Sequence, residues 1–243
     1  MAIKNHIPNA LTCVNLLCGC VALSIILGTN TSTFRPGTDW QALLPAAVLI
    51  GIAAIADFFD GLVARALRVS SPIGKDLDSL ADMVSFGVVP GAFLFKLLQN
   101  ATAANDSPLA YLAFTVSIFS ALRLAKFNND TRQSDSFIGL PTPACTILVT
   151  SLPIILLNDQ FGVSGIILNQ WVLLALTLVL SGLLVAELPL FALKFKNLSW
   201  QDNSLRFVFL IATVVLLMLL KASAVPLVIL LYVLLSVLRP SHG

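Results

Sequence analysis

Four carboxylates stand in sequence otherwise apolar enough for a bilayer, and their spacing is regular. The run is Asp57-Phe-Phe-Asp60-Gly61-Leu-Val-Ala64-Arg65, then eight residues, then Gly74-Lys-Asp-Leu-Asp78-Ser-Leu-Ala-Asp82. Residues three and four apart share a helix face. Asp57, Asp60, Gly61, Ala64 and Arg65 therefore form one stripe, and Gly74, Asp78 and Asp82 form a second. The linker is short, so the stripes can face each other. Four converging carboxylates need neutralising protons or cations. With no His or Cys beside them the donors are all oxygen, which suits magnesium, manganese or calcium. Four carboxylates can hold two such ions, and paired ions stabilise displacement at phosphorus by clamping the attacking and leaving oxygens. The small residues on the stripes let a headgroup approach the backbone. Arg65 offers a bidentate fork to a phosphate. A carboxylate not used up as a ligand can serve as a general base.

The same residues permit other readings. An acid cluster can bond helices together, although one or two polar residues suffice for that. A cation or proton transporter with a carboxylate relay is the alternative from a different class. Transporter sites usually lie near the bilayer midplane between repeated halves. Here the acids crowd one end of their spans, and the chain has no internal repeat.

The elements that carry the stripes must be membrane helices. Of the 243 residues, 58% are hydrophobic and only 11% charged, against about 25% charged in a soluble domain. The mean hydropathy is +0.94. This excludes an ordinary soluble enzyme and leaves no basic surface for nucleic acid. A span takes about 20 apolar residues, and eight stretches qualify: 8–28, 42–66, 76–98, 108–127, 142–158, 170–190, 206–221 and 223–238. The expectation is an all-α polytopic membrane protein, a helical bundle of about eight transmembrane spans in a single domain over residues 1–243. Only Lys221 and the Ala222–Pro226 stretch separate the last two spans, so one re-entrant or bent element is the alternative there. The first run follows Lys4 without a small-x-small cleavage site and reads as a retained span.

Positive charge orients the bundle. With the N-terminus cytoplasmic, Lys4, Arg65, Arg68, Lys75, Arg123, Lys126, Arg132, Lys194, Lys196, Arg206 and Arg239 fall on the cytoplasmic side, eleven of fourteen. Arg35 and Lys221 fall on the far side, and Lys96 near a helix end can snorkel. Both termini and the acid cluster are then expected at the cytoplasmic face of the cell membrane. Cys13, Cys18, Cys20 and Cys145 lie in apolar stretches without a Cys-x-x-Cys pair. They read as small apolar filler, not as a disulfide framework or zinc site.

The eight specified residues Asp57, Asp60, Gly61, Ala64, Arg65, Gly74, Asp78 and Asp82 resemble the signature of the CDP-alcohol phosphatidyltransferase family, with every position filled. Ile7-Pro8-Asn9-x-x-Thr12-x-x-Asn15 resembles that family's entry into its first span. Three segments resemble its phosphatidylserine synthase branch: Leu77 to Pro90, Ala121 to Asn128 and Phe137 to Ala144. Beyond residue 145 the likeness thins to Glu187-Leu-Pro189 through Lys196.

The resemblance implies a six-helix catalytic core, with the spans at about 206–238 as additions. It implies transfer of a phosphatidyl group from CDP-diacylglycerol to an alcohol, with release of CMP. A homodimer among membrane lipids is implied as well, as is a divalent metal, two Mg2+ or Mn2+ ions with Ca2+ as a further candidate. By position, Asp57, Asp60, Asp78 and Asp82 would be metal ligands, and Asp82 also the base toward the acceptor hydroxyl. Gly61, Ala64, Arg65 and Gly74 would line the CDP moiety. Asn9, Thr12 and Asn15 either cap and bond helices or contact cytidine or pyrophosphate.

For an L-serine acceptor, a cation to meet its carboxylate is expected. Arg123 and Lys126 are the candidates, with Asn128, Asn129 and Thr142 completing the pocket. A phosphorylated acceptor such as glycerol 3-phosphate or an inositol phosphate would need more positive charge, for which Arg132 is at hand. A second synthase type that uses paired His-x-Lys motifs is excluded, because the only histidines, His6 and His242, lie in no such motif.

Overall fold

The computed structural model describes residues 6–69, 71–102, 107–129, 136–191 and 199–238. Lys4, Arg132, Lys194, Lys196 and Arg239 lie outside the described residues. Helix falls within each expected span, and among the described residues five helical stretches are long and apolar enough to cross a membrane, with Thr142–Asn158 and Gln170–Val185 as shorter apolar helices; the chain is an all-α multi-pass membrane protein. In order, α1 is His6–Gly28 and α2 is Leu44–Leu67, the latter entered through a 3-10 turn at Asp39–Leu43. The stretch 72–101 is one bent span: α3 (Pro72–Asp82), a wider π turn (Met83–Val88) and α4 (Val89–Ala101). A 3-10 segment, Pro108–Phe114, leads into α5 (Thr115–Asn129). Then come α6 (Thr142–Asn158), a single turn α7 (Ser164–Ile167), α8 (Gln170–Val185), α9 (Trp200–Leu220) and α10 (Ala224–Leu238).

Lengths say where the acids sit. The 30 residues of the bent span rise about 45 Å at 1.5 Å each, more than the roughly 30 Å of hydrocarbon. α4 is buried continuously from Val89 to Leu98, whereas α3 buries only Ala81. α3 also carries Lys75, Asp76, Asp78 and Asp82, whereas Lys96 is the one charge on α4, so the surplus length is expected on α3, with Asp78 and Asp82 toward the edge of the bilayer. Asp57 and Asp60 ride on the last three turns of α2, which approach the same edge. α4 is the axis of the bundle. Phe93, Leu94, Leu97 and Leu98 are fully buried and pack with Ile26, Trp40, Leu43 and Leu156 in the main core.

Two features depart from the expectation. The sixth span ends at Val185 rather than residue 190, where Ala186 turns extended. Leu188, immediately before Pro189, is itself disfavoured from the α conformation, so the chain there is free to pair as a strand. Residues Pro189–Phe191 (β2) form an antiparallel two-stranded ribbon with Ser136–Ile138 (β1), Phe137 opposite Leu190. The last apolar stretch is a hairpin. Lys221 takes φ 50°, and the ring centroids of Phe209 and Tyr232 stand 5.7 Å apart. A continuous helix would separate these residues by about 35 Å. α9 and α10 are thus antiparallel, which rules out one continuous bent helix; a re-entrant hairpin takes the same form.

Candidate active site

The two stripes meet because the chain reverses tightly between them. α2 ends where Arg68 adopts the left-handed conformation, φ 54°, and the Val69 N–H turns back to the Ala64 carbonyl at 3.0 Å, a common helix stop. α3 starts at Pro72, four residues after Arg68. Pro72 stands in its first turn, and the Ser71 hydroxyl accepts from the Gly74 N–H at 3.0 Å, which satisfies one of the free N–H groups of the first turn. Carboxylate oxygens of Asp57, Asp60 and Asp78 come within 4.8 Å of one another. Asp82 lies one turn further along α3, outside that group of three.

α1 lies against both stripes and braces them. The Thr12 hydroxyl donates to Asp60 Oδ2 at 2.6 Å, and the Asn15 amide reaches Asp82 Oδ1 at 3.4 Å. Among the described residues, no Lys or Arg forms an ion pair with the four acids. Asp78 Oδ1 and Asn15 Oδ1 are buried with no hydrogen-bond partner. Unpaired buried acceptors are costly. A divalent cation taking oxygen ligands answers both deficits, so the donor set fits a metal ion.

Beside the acids a cleft of about 240 Å³ opens, lined by Asn9 and Thr12 of α1, Asp60, Gly61 and Ala64 of α2, and Ser71, Gly74, Lys75 and Asp78 around the start of α3. It is smaller than the roughly 300–1,000 Å³ of a typical ligand pocket, so it suits one part of a larger amphiphile. A Cβ on Gly74 would stand 3.0 Å from both Asn9 Oδ1 and Ser71 Oγ, which explains why the smallest residue is used there. Arg65 is exposed and is not among the cleft-lining residues.

A second corner lies beyond Asp82. Arg123 of α5 is only 7% exposed, its Nε has no hydrogen-bond partner, and its guanidinium lies 5.8 Å from the Phe127 ring centroid. It is within electrostatic reach of Asp82, of Tyr232 on α10 and of Cys145 on α6. Thr142, at the start of α6, is 1% exposed. Lys126 is exposed. The Asn128 amide is taken up by Ser79 Oγ at 2.8 Å, and its carbonyl accepts from Lys75 Nζ at 3.2 Å. The Asn129 amide folds back onto the Ala125 carbonyl at 2.9 Å.

A model of the CDP-alcohol phosphatidyltransferase family matches residues 5–183. The chain belongs to that family. Three relatives of the family named CDP-diacylglycerol--serine O-phosphatidyltransferase illustrate the likeness. The protein from Bacillus subtilis (strain 168) is 33% identical over 173 residues, covering 68% of this chain and 88% of that one. The Helicobacter pylori (strain ATCC 700392 / 26695) protein is 35% identical over 182 residues, 74% of this chain and 72% of its own. The Mycobacterium leprae (strain TN) protein is 35% identical over 176 residues, 69% of this chain and 55% of its own.

The family match takes in the acids, the cleft and Arg123, and it stops inside α8. β2 and the hairpin lie beyond it. Two residues here carry little signal in the sequence. Lys75 reads only as a cation of the inner flank, although its place next to Gly74 in the motif marks it for the mouth of the cleft. Tyr232 sits in an apolar run, and its one available signal is that the chain has just two tyrosines.

Proposed function

We propose that this phosphatidyltransferase moves the phosphatidyl group of CDP-diacylglycerol to the hydroxyl of L-serine, yielding phosphatidylserine and CMP. The observation that carries this reading is the meeting of three carboxylates from two helices, beside a cleft floored by small residues. Asp57, Asp60, Asp78 and Asp82 would hold Mg2+ or Mn2+. Once bound, such ions neutralise the pyrophosphate and polarise its phosphorus. Gly61, Ala64 and Gly74 leave space for the cytidine end, Thr12 fixes the Asp60 carboxylate, and Asn15 orients Asp82. Arg65, exposed at the rim, meets the outer phosphate.

Arg123 supports serine as the acceptor. One buried guanidinium beside the base matches one carboxylate, whereas an acceptor phosphate calls for more charge. Thr142 would complete this corner, while Asn128 ties α5 to Ser79 and Lys75 of α3. Held there, serine presents its hydroxyl to Asp82, which takes the proton. The serine oxygen bonds to the phosphorus that carries diacylglycerol, the bond from that phosphorus to the CMP oxygen breaks, and CMP leaves. No covalent enzyme intermediate is needed.

The cationic residues gathered at the acid-bearing end support a cytoplasmic placement of the site in the cell membrane. A homodimer of single-domain chains follows from the family resemblance.

An acceptor panel tests the reading. Membranes are supplied with CDP-diacylglycerol, Mg2+ or Mn2+, and serine, glycerol 3-phosphate or an inositol phosphate. Metal-dependent CMP release with serine is expected. Release only with a phosphorylated alcohol would overturn serine as acceptor, and metal-driven ion flux in sealed vesicles without CMP would overturn the transfer itself.

A further inference from the structure

We infer that the π turn at Met83–Val88 is the device that aims the Asp78–Asp82 stripe, and that Ser117 and Thr146 are the positioning residues that hold it. The inference rests on the reading that the four carboxylates bind a divalent cation.

The turn has a cause in the sequence. In an unbroken α-helix the Phe86 carbonyl accepts from residue 90, but residue 90 is proline and has no N–H, and its ring crowds that same carbonyl. The backbone widens instead, and the Val89 N–H reaches back five residues to the Val84 carbonyl. Hydroxyls from two other helices serve the carbonyls at this point. Thr146 Oγ1 of α6 lies 3.0 Å from the Phe86 oxygen, and Ser117 Oγ of α5 donates to the Gly87 oxygen at 2.8 Å. The one Thr146 proton is shared with its own helix, at the Thr142 oxygen 2.9 Å away. A third hydroxyl, that of Ser85, ties the turn to α1. It donates to the Asn15 carbonyl at 3.1 Å, on the residue whose amide meets Asp82. α1 passes so close here that a Cβ on Gly19 would collide with Ser85 Oγ.

The consequence is rotational. A π turn holds about one residue more than an α turn, and one residue is about 100° around the helix axis. α4 cannot absorb that rotation, because it is buried continuously from Val89 to Leu98. α3 is the freer side, with only Ala81 buried. Straightening the turn would therefore swing Asp78 and Asp82 by roughly a quarter turn away from Asp57 and Asp60. Thr146 is fully buried and Ser117 is 7% exposed. Their hydroxyls spend themselves on these carbonyls and touch neither the acids nor the cleft.

The test uses the full-length enzyme in detergent with Mn2+ alone, and reads equilibrium binding by electron paramagnetic resonance without substrate. Losing supporting hydrogen bonds around a metal site typically weakens affinity about 10- to 100-fold. Ser117→Ala combined with Thr146→Val should bind Mn2+ at least about tenfold more weakly, and Thr146→Ser alone should bind like the wild type. Pro90→Ala, which restores the N–H and removes no hydroxyl, should weaken Mn2+ in the same direction and covers the case in which the double variant does not fold. Wild-type affinity in a folded double variant or in Pro90→Ala overturns the inference, as does loss of binding in Thr146→Ser. A wild-type enzyme that binds no Mn2+ overturns the metal centre and this role with it. A wild-type enzyme that binds Mn2+ but releases no CMP overturns only the proposed reaction.

Discussion

The acid corner and the acceptor corner sit on either side of Asp82 but are built in different ways. The acid corner is nearly local. Asp57, Asp60, Asp78 and Asp82 come from one helix–turn–helix of 26 residues, closed by Arg68 and Ser71 and braced by Thr12 and Asn15. The acceptor corner draws on α5, α6 and α10, with Arg123, Thr142 and Tyr232 spread over 110 residues. In the first, charge is concentrated and lacks counter-charge. In the second, a single buried guanidinium leaves its Nε without a hydrogen-bond partner. On the proposed reading, one corner receives cations and the other one anion, with Asp82 between them. An enzyme that moves a phosphatidyl group from an anionic lipid nucleotide to an amino acid needs that division.

The sharpest way to break the comparison is at the shared residue. Asp82→Asn keeps the size and removes the proton acceptor. Positioned general bases contribute about 10²- to 10⁴-fold, and a fall in kcat of that order is expected in a protein that remains folded and extractable. Turnover within a fewfold of wild type would remove Asp82 as the base. Arg123→Gln acts on one corner alone. A lost hydrogen bond to a charged group costs about 1.5–3 kcal/mol, so the KM for serine should rise about 10- to 100-fold while the KM for CDP-diacylglycerol stays unchanged. If both constants rise together, Arg123 serves the lipid nucleotide, and the two corners are one site.

Legibility follows the same division. The acid corner could be read because its information is periodic: three- and four-residue spacings on two helices, separated by a linker too short to do anything but reverse. The bundle itself was equally plain from apolar run lengths. The π turn was hidden, although Pro90 stood in plain sight, since nothing local says whether a proline kinks a helix, starts one or widens it. The partners that decide it, Ser117 and Thr146, come from elsewhere in the chain. The ribbon was hidden because three-residue strands have no period to detect. Tyr232 was hidden because its role depends on a hairpin whose turn, at Lys221, carries no glycine.

Tyr232 makes a milder probe of the acceptor corner. Its hydroxyl donates to the Phe191 carbonyl at 3.0 Å, and its ring packs on Phe191 and Phe209 at centroid distances of 5.0 and 5.7 Å. The hairpin thereby holds β2, and through β2 the strand that leads to Thr142. Tyr232→Phe keeps the ring stack and loses one neutral hydrogen bond, worth about 1 kcal/mol. The expected result is a KM for serine raised about fivefold, with the metal requirement and the KM for CDP-diacylglycerol unchanged. An equal rise in all three would make the hairpin a general support and not a wall of the acceptor corner.

The smallest expected effect separates two cations that look alike in sequence. Arg123 and Lys126 are three residues apart on α5, yet one is 7% exposed and the other lies open at the surface. Exposure decides their worth, because a carboxylate gains little from an ammonium already bathed in water, whereas a buried guanidinium has lost that competitor. Lys126→Ala should therefore leave the KM for serine within about twofold, as surface charge pairs contribute about 0–1 kcal/mol. Its effect belongs to the membrane. A lysine near an anionic leaflet is worth about 1 kcal/mol of attraction, so the variant should lose part of any stimulation by anionic vesicles and none of its serine affinity. Should Lys126→Ala instead raise the serine KM more than Arg123→Gln does, the acceptor must enter from the exposed side of α5, and the corner around Tyr232 would be structural.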